Sequence, residues 1–161
     1  MGRAVSTLLK ELDNMNEDIV IIATTNLFSS FDKAIIRRFN KVINFNKYSQ
    51  SDLKEIADII LANNINKFSN AAKDMKLFNK VIETMNPIPY PGELKNIIIS
   101  SLAFSNPKDP YDYMKRIYET ANNCEAKNNI KEMEKQGFSV REIEKITGIS
   151  KSTVAREVNG E

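Results

Sequence analysis

Hydrophobic and polar positions in the first 47 residues follow two different periods. Residues 3–13 carry apolar side chains at i, i+3, i+4 and i+7 spacing, which predicts an amphipathic helix. Residues 18–24 form a largely β-branched run that predicts a buried strand, and residues 41–45 predict a second strand. Because a short helix lies between them, the pattern indicates a parallel βαβ crossover. Two parallel strands do not make a stable sheet alone, so we expect residues 1–47 to be an incomplete α/β subdomain whose remaining strands lie on other polypeptide.

From Tyr48 onward the apolar positions follow the helical period. Ser49 and Asp52 have the spacing of a capping box, which predicts a helix start. Clusters of asparagine, proline and glycine then separate further helices. We expect helices from Ser49 to about residue 64, from about 70 to 85, from about Gly92 to 102 and from about 111 to 122.

The last segment predicts three short helices, the first at about residues 127–136. Ser139 and Ser150 are candidate N-caps for the other two, and Gly148 supplies the tight turn between them. The predicted fold is therefore mainly α, with an α/β remnant at the start and a tri-helical end. Its expected divisions are residues 1–47, a helical segment at 48–105, a linker or extra helix at 106–124, and the tri-helical segment at 125–161.

Composition narrows the class of protein. The chain has 161 residues, 42% hydrophobic and 27% charged, which suffices for a moderate core, and its net charge of +2 gives it no overall polyanion-binding character. It has one cysteine and no histidine, which excludes an internal disulfide and makes a metal site or a histidine-based triad an unfavourable interpretation. The sequence also predicts no membrane span and no signal peptide, so we expect a cytoplasmic protein. From the missing histidine and the single cysteine we expect no bound metal of its own.

Two features in the first segment suit phosphate chemistry. Asn26 follows the first predicted strand, where a side-chain amide can orient a water molecule or a phosphate oxygen. Arg37 and Arg38 stand just before Phe39 on a short helix opened by Asp32, and guanidinium groups bind phosphate through charge and forked geometry.

In this order and spacing, these features resemble the second half of an AAA+ ATPase module. Members of that family carry a helix ending Leu-Leu-x-x-Leu-Asp, here residues 8–13, then an apolar strand ending Ala-Thr-Thr-Asn, here residues 23–26. An arginine-bearing helix before phenylalanine and a helical lid follow, so the resemblance covers about residues 3–105. It implies that Asn26 is the sensor-1 residue and that Arg37 and Arg38 are arginine fingers reaching a neighbouring subunit in a homo-oligomeric ring.

The resemblance implies ATP and Mg²⁺ as cofactors of the complete protein. This chain, however, contains no Gly-x-x-x-x-Gly-Lys-[Ser/Thr] phosphate loop and no apolar strand ending Asp-Glu. The family keeps both upstream of the point where this sequence begins. The chain alone is therefore expected to bind neither cofactor tightly and to hydrolyse no ATP.

The lid of the family also contacts nucleotide. Residues 91–94 fall at its sensor-2 region, which makes Gly92 and Lys95 candidate cofactor contacts. Many members have an arginine in this helix, and lysine lacks its bidentate fork. The alternative is that Gly92 only starts a helix and Lys95 is solvated.

Residues 137–156 are similar to the helix-turn-helix of site-specific recombinases and bacterial regulators, in which Gly-x-Ser-x-x-Glu-Ile and Gly-Ile-Ser-x-Ser-Thr-Val recur. The resemblance implies that the helix from Ser150 to about 158 enters the major groove of DNA. The side chains expected to face DNA are Lys151, Ser152, Thr153 and Arg156. Against it, Glu144 occupies a position that is often small, and residues 125–161 carry seven basic and seven acidic residues. A tri-helical protein-docking module is the alternative.

The combined prediction is the C-terminal portion of an AAA+ ATPase, which senses nucleotide, supplies arginine fingers in trans and is coupled to a DNA-contacting helix-turn-helix. A competing prediction is a non-catalytic adaptor derived from a truncated AAA+ protein, which binds DNA or docks another protein. A third is an α-rich scaffold whose motifs are accidental.

Overall fold

Helices supply the regular secondary structure of the residues that the structure describes, which are 3–16, 18–45 and 47–160 of a computed structural model. The chain divides into two units, Met1–Phe45 and Asn46–Glu161, and each is described by itself.

The first unit contains two helices, α1 at Arg3–Asp13 and α2 at Lys33–Ile36. A 3₁₀ turn at Phe28–Ser30 precedes α2. The Asp32 carboxylate caps α2, with Oδ1 accepting from the backbone N–H of Ala34 at 2.8 Å. Among the described residues, α1 buries none of its side chains, and Ile35 is the buried apolar residue of this unit.

The two predicted strands do not form in the described residues. Residues 18–24 and 41–45 have no regular secondary structure, and Val20 and Ile22 are 85% and 86% exposed. The βαβ prediction is therefore wrong for this structure. A strand is held by backbone hydrogen bonds to a neighbouring strand, and two segments cannot bury two sheet faces. The β-branched sequence alone is therefore not sufficient to form a strand in the described residues.

The second unit begins with four helices. They are α3 at Gln50–Ile65, α4 at Met75–Glu83, α5 at Pro91–Ala103 and α6 at Asp112–Asn122. The predicted capping box at Ser49 is confirmed, because its Oγ accepts from the Asp52 N–H at 3.1 Å and Asp52 Oδ2 accepts from the Ser49 N–H at 2.8 Å. Helix α4 begins later than predicted, because Asp74 caps it and the backbone N–H of Ala72 instead bonds the Pro110 carbonyl at 2.9 Å.

Three shorter helices complete the unit: α7 at Ile130–Lys135, α8 at Val140–Thr147 and α9 at Lys151–Asn159. A 3₁₀ turn at Ala126–Asn128 precedes α7, so this helix starts three residues after the predicted Lys127. The mainly α prediction is confirmed for the described residues.

One hydrophobic core runs through the second unit from α3 to α9. Its largest fully buried side chains include Phe78 on α4 and Tyr118 on α6. The Tyr118 ring meets Phe138, in the α7–α8 connection, edge to face at 5.9 Å between centroids. The last three helices therefore share a core with the preceding four. In the described part of the chain, no helix combines the length and apolarity that a bilayer crossing requires.

Candidate functional site

The two candidate arginines at the end of α2 have different surroundings. The side chain of Arg37 is exposed and has no hydrogen-bond or ion-pair partner among the described residues. Arg38 instead forms a two-pronged ion pair with Asp13, from Nε to Oδ1 at 2.9 Å and from Nη2 to Oδ2 at 3.0 Å. Its Nη1 also donates to the Ala34 carbonyl at 3.0 Å.

Arg38 and Asp13 each shift the pKa of the other in the direction that favours its charged form. The hydrogen bond from Arg38 holds the pKa of the Asp13 carboxyl below its ordinary value, and the bond to Asp13 raises the pKa of Arg38. Asp13 is the last residue of α1, so this pair connects the two helices of the first unit.

Asn26 lies in a bend after the apolar run, between residues whose side chains are exposed. Thr25 stabilises this bend, because its Oγ1 accepts from the Leu27 N–H at 3.0 Å. The Asn26 amide has no hydrogen-bond partner among the described residues. No hydrogen bond in that part of the chain connects Asn26 to Arg37 or Arg38.

Gly92 and Lys95 lie in the first turns of α5, and both are exposed. Pro91 occupies the first position of this helix, where its fixed φ suits the start and its missing N–H costs nothing. A Cβ built on Gly92 would meet no atom within 4 Å, so close packing does not require glycine there. Lys95 forms no ion pair with any described residue.

Helices α8 and α9 meet through a turn that the sequence determines locally. Ser139 caps α8 in a capping box with Glu142, and Ser150 caps α9 by accepting from the Thr153 N–H at 3.4 Å. Gly148 ends α8 with φ of 71°, a left-handed conformation that favours glycine. The end of α8 and the start of α9 are thus set by Gly148 and Ser150, which only Ile149 separates.

Glu144 does not crowd this crossing. Its Oε1 accepts from the backbone N–H of Lys151 at 2.9 Å, so the carboxylate turns to the start of α9 and satisfies a free donor there. Ile143 and Val154 are fully buried on either side, and Val140 and Ile149 pack partly buried against the same core. Glutamate at this position therefore stabilises the turn.

The four predicted DNA-facing residues lie together on the exposed surface of α9. They are Lys151, Ser152, Thr153 and Arg156. The hydroxyls of Ser152 and Thr153 lie 3.1 Å and 2.9 Å from Ser150 Oγ. Arg156 makes one long bond, from Nε to the Ser152 carbonyl at 3.5 Å. Helix α9 buries its opposite side against α7 and α8, which leaves this surface uncovered within the second unit.

Two ion pairs that no sequence pattern predicts connect α8 to α4 and its N-cap. Lys80 donates to Glu142 Oε2 at 2.8 Å and to the Gly137 carbonyl at 3.1 Å. Lys145 donates to Asp74 Oδ2 at 2.8 Å and lies 5.0 Å from the centre of the Tyr111 ring. The paired side chains stand 62 and 71 residues apart in the chain, so no local pattern predicts them.

A cluster of polar side chains joins α6 to both ends of α7 and to the end of α4. The Tyr118 hydroxyl donates to Gln136 Oε1 at 3.0 Å and accepts from Asn129 at 2.8 Å. Gln136 in turn donates to Asn122, whose amide reaches Thr84 at 3.1 Å. Helices α7 and α8 are therefore joined to the rest of the unit by charged and polar bonds as well as by the core.

Replacing Asp74 by asparagine should lower the free energy of unfolding at pH 7 by about 0.5–1 kcal/mol, since the Lys145 pair is partly exposed. Asparagine keeps an oxygen for the Leu77 N–H, so the helix cap survives. The hydrogen bond from Lys145 lowers the pKa of Asp74, and its stabilisation is present above the ordinary value of 3.8 and lost as pH falls through the lower folded value.

Urea unfolding at pH 7 and at pH 3 checks this prediction. The difference between wild type and Asp74→Asn should shrink at the lower pH, where the carboxyl begins to protonate. The exposed Glu134, which makes no ion pair with a described residue, provides the control substitution Glu134→Gln. A difference that is equal at both pH values would contradict a charged contribution from Asp74.

Comparison with protein families matches residues 1–47 to the family described as ATPase family associated with various cellular activities (AAA). Comparisons with curated proteins and with solved structures found no match. The matched segment contains Asn26, Arg37 and Arg38, together with Asp13 and the exposed apolar run. This segment is thus similar to part of an AAA+ ATPase.

Proposed function

We propose that this chain is the portion of an AAA+ ATPase that completes the nucleotide site of a neighbouring subunit. The observation that carries the proposal is the exposed guanidinium of Arg37, which has no partner among the described residues and lies within the segment that matches the family. A neighbouring nucleotide would meet no competing carboxylate bonded to this group among the described residues. An arginine supplied in trans neutralises charge on the transferring phosphoryl group.

The residues of this chain fit one part of an ATP–Mg²⁺ site and not the rest. No glycine-rich phosphate loop and no Asp-Glu strand end occurs in the sequence, so the chain has no cradle for the β-phosphate or the metal ion. ATP and Mg²⁺, when held by the complete protein, would supply the phosphoryl group and the positive charge that offsets its negative charge. On the proposal, Asn26 orients a water molecule or a phosphate oxygen. Arg37 stabilises the negative charge that develops on a nucleotide bound by the adjacent subunit.

The exposed apolar residues of the first unit support a contact with other polypeptide. Val20, Ile22, Ile43 and Phe45 are between 67% and 86% exposed, although such residues are usually placed in strands. Exposed apolar surface of this kind marks a contact that another chain segment covers. We infer that residues 18–24 and 41–45, which form no strand in this structure, contact other polypeptide of an AAA+ α/β subdomain.

We further propose that α3–α6 form the lid of this ATPase and that α7–α9 contact DNA as a helix-turn-helix. Gly92 and Lys95, at the start of α5, are the proposed lid contacts to adenine and ribose. The proposed DNA surface rests on Lys151 and Arg156, two exposed cations on a helix whose other side is buried. Because α8 is bonded to α4, a movement of the lid would carry the DNA-facing helix with it.

Turnover measurements test the proposal. The isolated 161-residue chain should show no magnesium-dependent ATP hydrolysis, because it lacks a cradle for the β- and γ-phosphates. The native assembly, isolated from its source cells through an affinity tag on this chain, should hydrolyse ATP. Turnover by the isolated chain, or none by the tagged assembly, would contradict the proposed ATPase function.

The competing function is a non-catalytic adaptor that binds DNA or docks another protein through α7–α9. The missing phosphate loop favours it, since these 161 residues alone are unable to run the ATPase reaction. The same assembly distinguishes the two functions, because an adaptor would leave it without an ATPase activity that depends on this chain's arginines.

A further inference from the structure

The two adjacent arginines that follow α2 differ in how many of their guanidinium nitrogens form hydrogen bonds. Three of the nitrogen atoms of Arg38 donate, two to Asp13 and one to the Ala34 carbonyl. A two-pronged pair of this kind fixes both the position and the plane of the group. To reach another subunit, Arg38 would have to break all three bonds.

Helix α2 needs such a tether because it has only four residues. A single turn is marginal in water, since one turn orders several backbone dihedrals for very few hydrogen bonds. Asp32 holds its start through the cap on Ala34, and Arg38 holds its end through Asp13 on α1. These two side chains therefore hold the short helix whose C-cap is Arg37.

We propose that the two arginines divide their work: Arg37 is the finger, and Arg38 is a positioning residue that fastens α2 to α1 through Asp13. The inference rests on the proposed ATPase function. It assigns Asp13, the last residue of the Leu-Leu-x-x-Leu-Asp pattern, a part in presenting the finger. The consequence is that Arg38 affects turnover through the placement of Arg37 and makes no contact with nucleotide.

Arginine labelling of the isolated chain tests the pairing. Phenylglyoxal modification followed by peptide mass spectrometry should label Arg37 several-fold faster than Arg38, because the second guanidinium is held by a carboxylate. Asp13→Asn should bring Arg38 to the rate of Arg37. Asp18→Asn, which removes an exposed carboxylate of the same unit that pairs with no described arginine, should leave both rates unchanged. Equal labelling of Arg37 and Arg38 in the wild type would overturn the proposal.

Turnover of the native assembly tests the division of work. Arg38→Ala should lower kcat by about 10²-fold or less, the scale of a displaced catalytic group, and leave KM for ATP nearly unchanged. Exchanging the pair, with Asp13→Arg and Arg38→Asp in one chain, should recover most of the lost kcat. A finger at position 38 would not be restored by an arginine on α1, so an exchanged variant as slow as Arg38→Ala would overturn the inference.

The two proposals fail in different ways. A wild-type assembly without ATPase activity would remove the proposed function and with it the finger. An active assembly in which Arg38 is labelled as fast as Arg37, or in which the exchange gives no recovery, would leave the ATPase function standing and remove only the positioning role.

Discussion

Alanine in place of Arg37 should lower kcat of the native assembly by about 10³-fold or more while leaving KM for ATP within a few-fold of wild type. The reason is that a finger interacts with charge that develops in the transition state, so its removal costs rate and little ground-state binding. The structure leaves this guanidinium exposed and unpaired among the described residues, so the substitution breaks no internal bond of its side chain.

The matched control is Lys33→Ala, which removes an exposed cation from the same short helix. This variant should retain kcat, because its charge is not proposed to contact nucleotide. Arg37→Lys should recover only part of the rate, since an ammonium group keeps the charge and lacks the planar fork. Equal losses in Arg37→Ala and Lys33→Ala would indicate that general positive charge is responsible, and unchanged turnover in both would remove the finger.

Local sequence predicted most of the helical architecture. The box at Ser49, the cap at Ser139 and the left-handed Gly148 are decided by residues within a few positions of one another, so a single sequence contains the information. The predicted start of a helix is less accurate where a residue distant in the sequence forms a hydrogen bond near that start. Helix α4 begins at Met75 because Asp74 caps it and the Ala72 N–H donates to the Pro110 carbonyl in the α5–α6 connection.

Non-local contacts could not be predicted in the same way. The β-branched residues 19–22 express a strand preference, but a strand also needs partner strands, and no strand forms among the described residues. The sequence predicts that Glu144 crowds the helix crossing unless its side chain turns outward, and its bond to the Lys151 N–H, which local sequence does not predict, places the carboxylate at the start of α9. Likewise, the sequence motif treats the two adjacent arginines alike, and the bonds of Arg38 to Asp13 and to the Ala34 carbonyl distinguish it from Arg37.

The shared core of the second unit changes how the DNA proposal should be tested. Because α7–α9 bury side chains against the preceding helices, deleting residues 125–161 would expose part of that core and confuse unfolding with lost DNA contact. Point substitutions on the exposed surface of α9 avoid this problem. Lys151 and Arg156 are suitable because both are exposed and neither forms an ion pair with a described residue.

Replacing both Lys151 and Arg156 by alanine should weaken duplex binding by the native assembly by about 10²-fold and reduce the slope of log affinity against log salt by about two. Each lost cation releases about one fewer counterion, which is why the salt dependence changes with the affinity. The double variant should unfold at the same urea concentration as wild type, since neither side chain contributes to the core.

The control is the double variant Lys76→Ala and Lys108→Ala, which changes net charge equally at exposed positions on α4 and in the α5–α6 connection. It should keep nearly all of its affinity if α9 is the DNA surface. Duplex titration at two salt concentrations measures both quantities. Residues 125–161 carry no net charge, so a single module should bind weakly and several copies held in one assembly should bind through effective concentration. Equal losses in the two double variants would place the DNA contact elsewhere and leave α9 as a protein-docking surface.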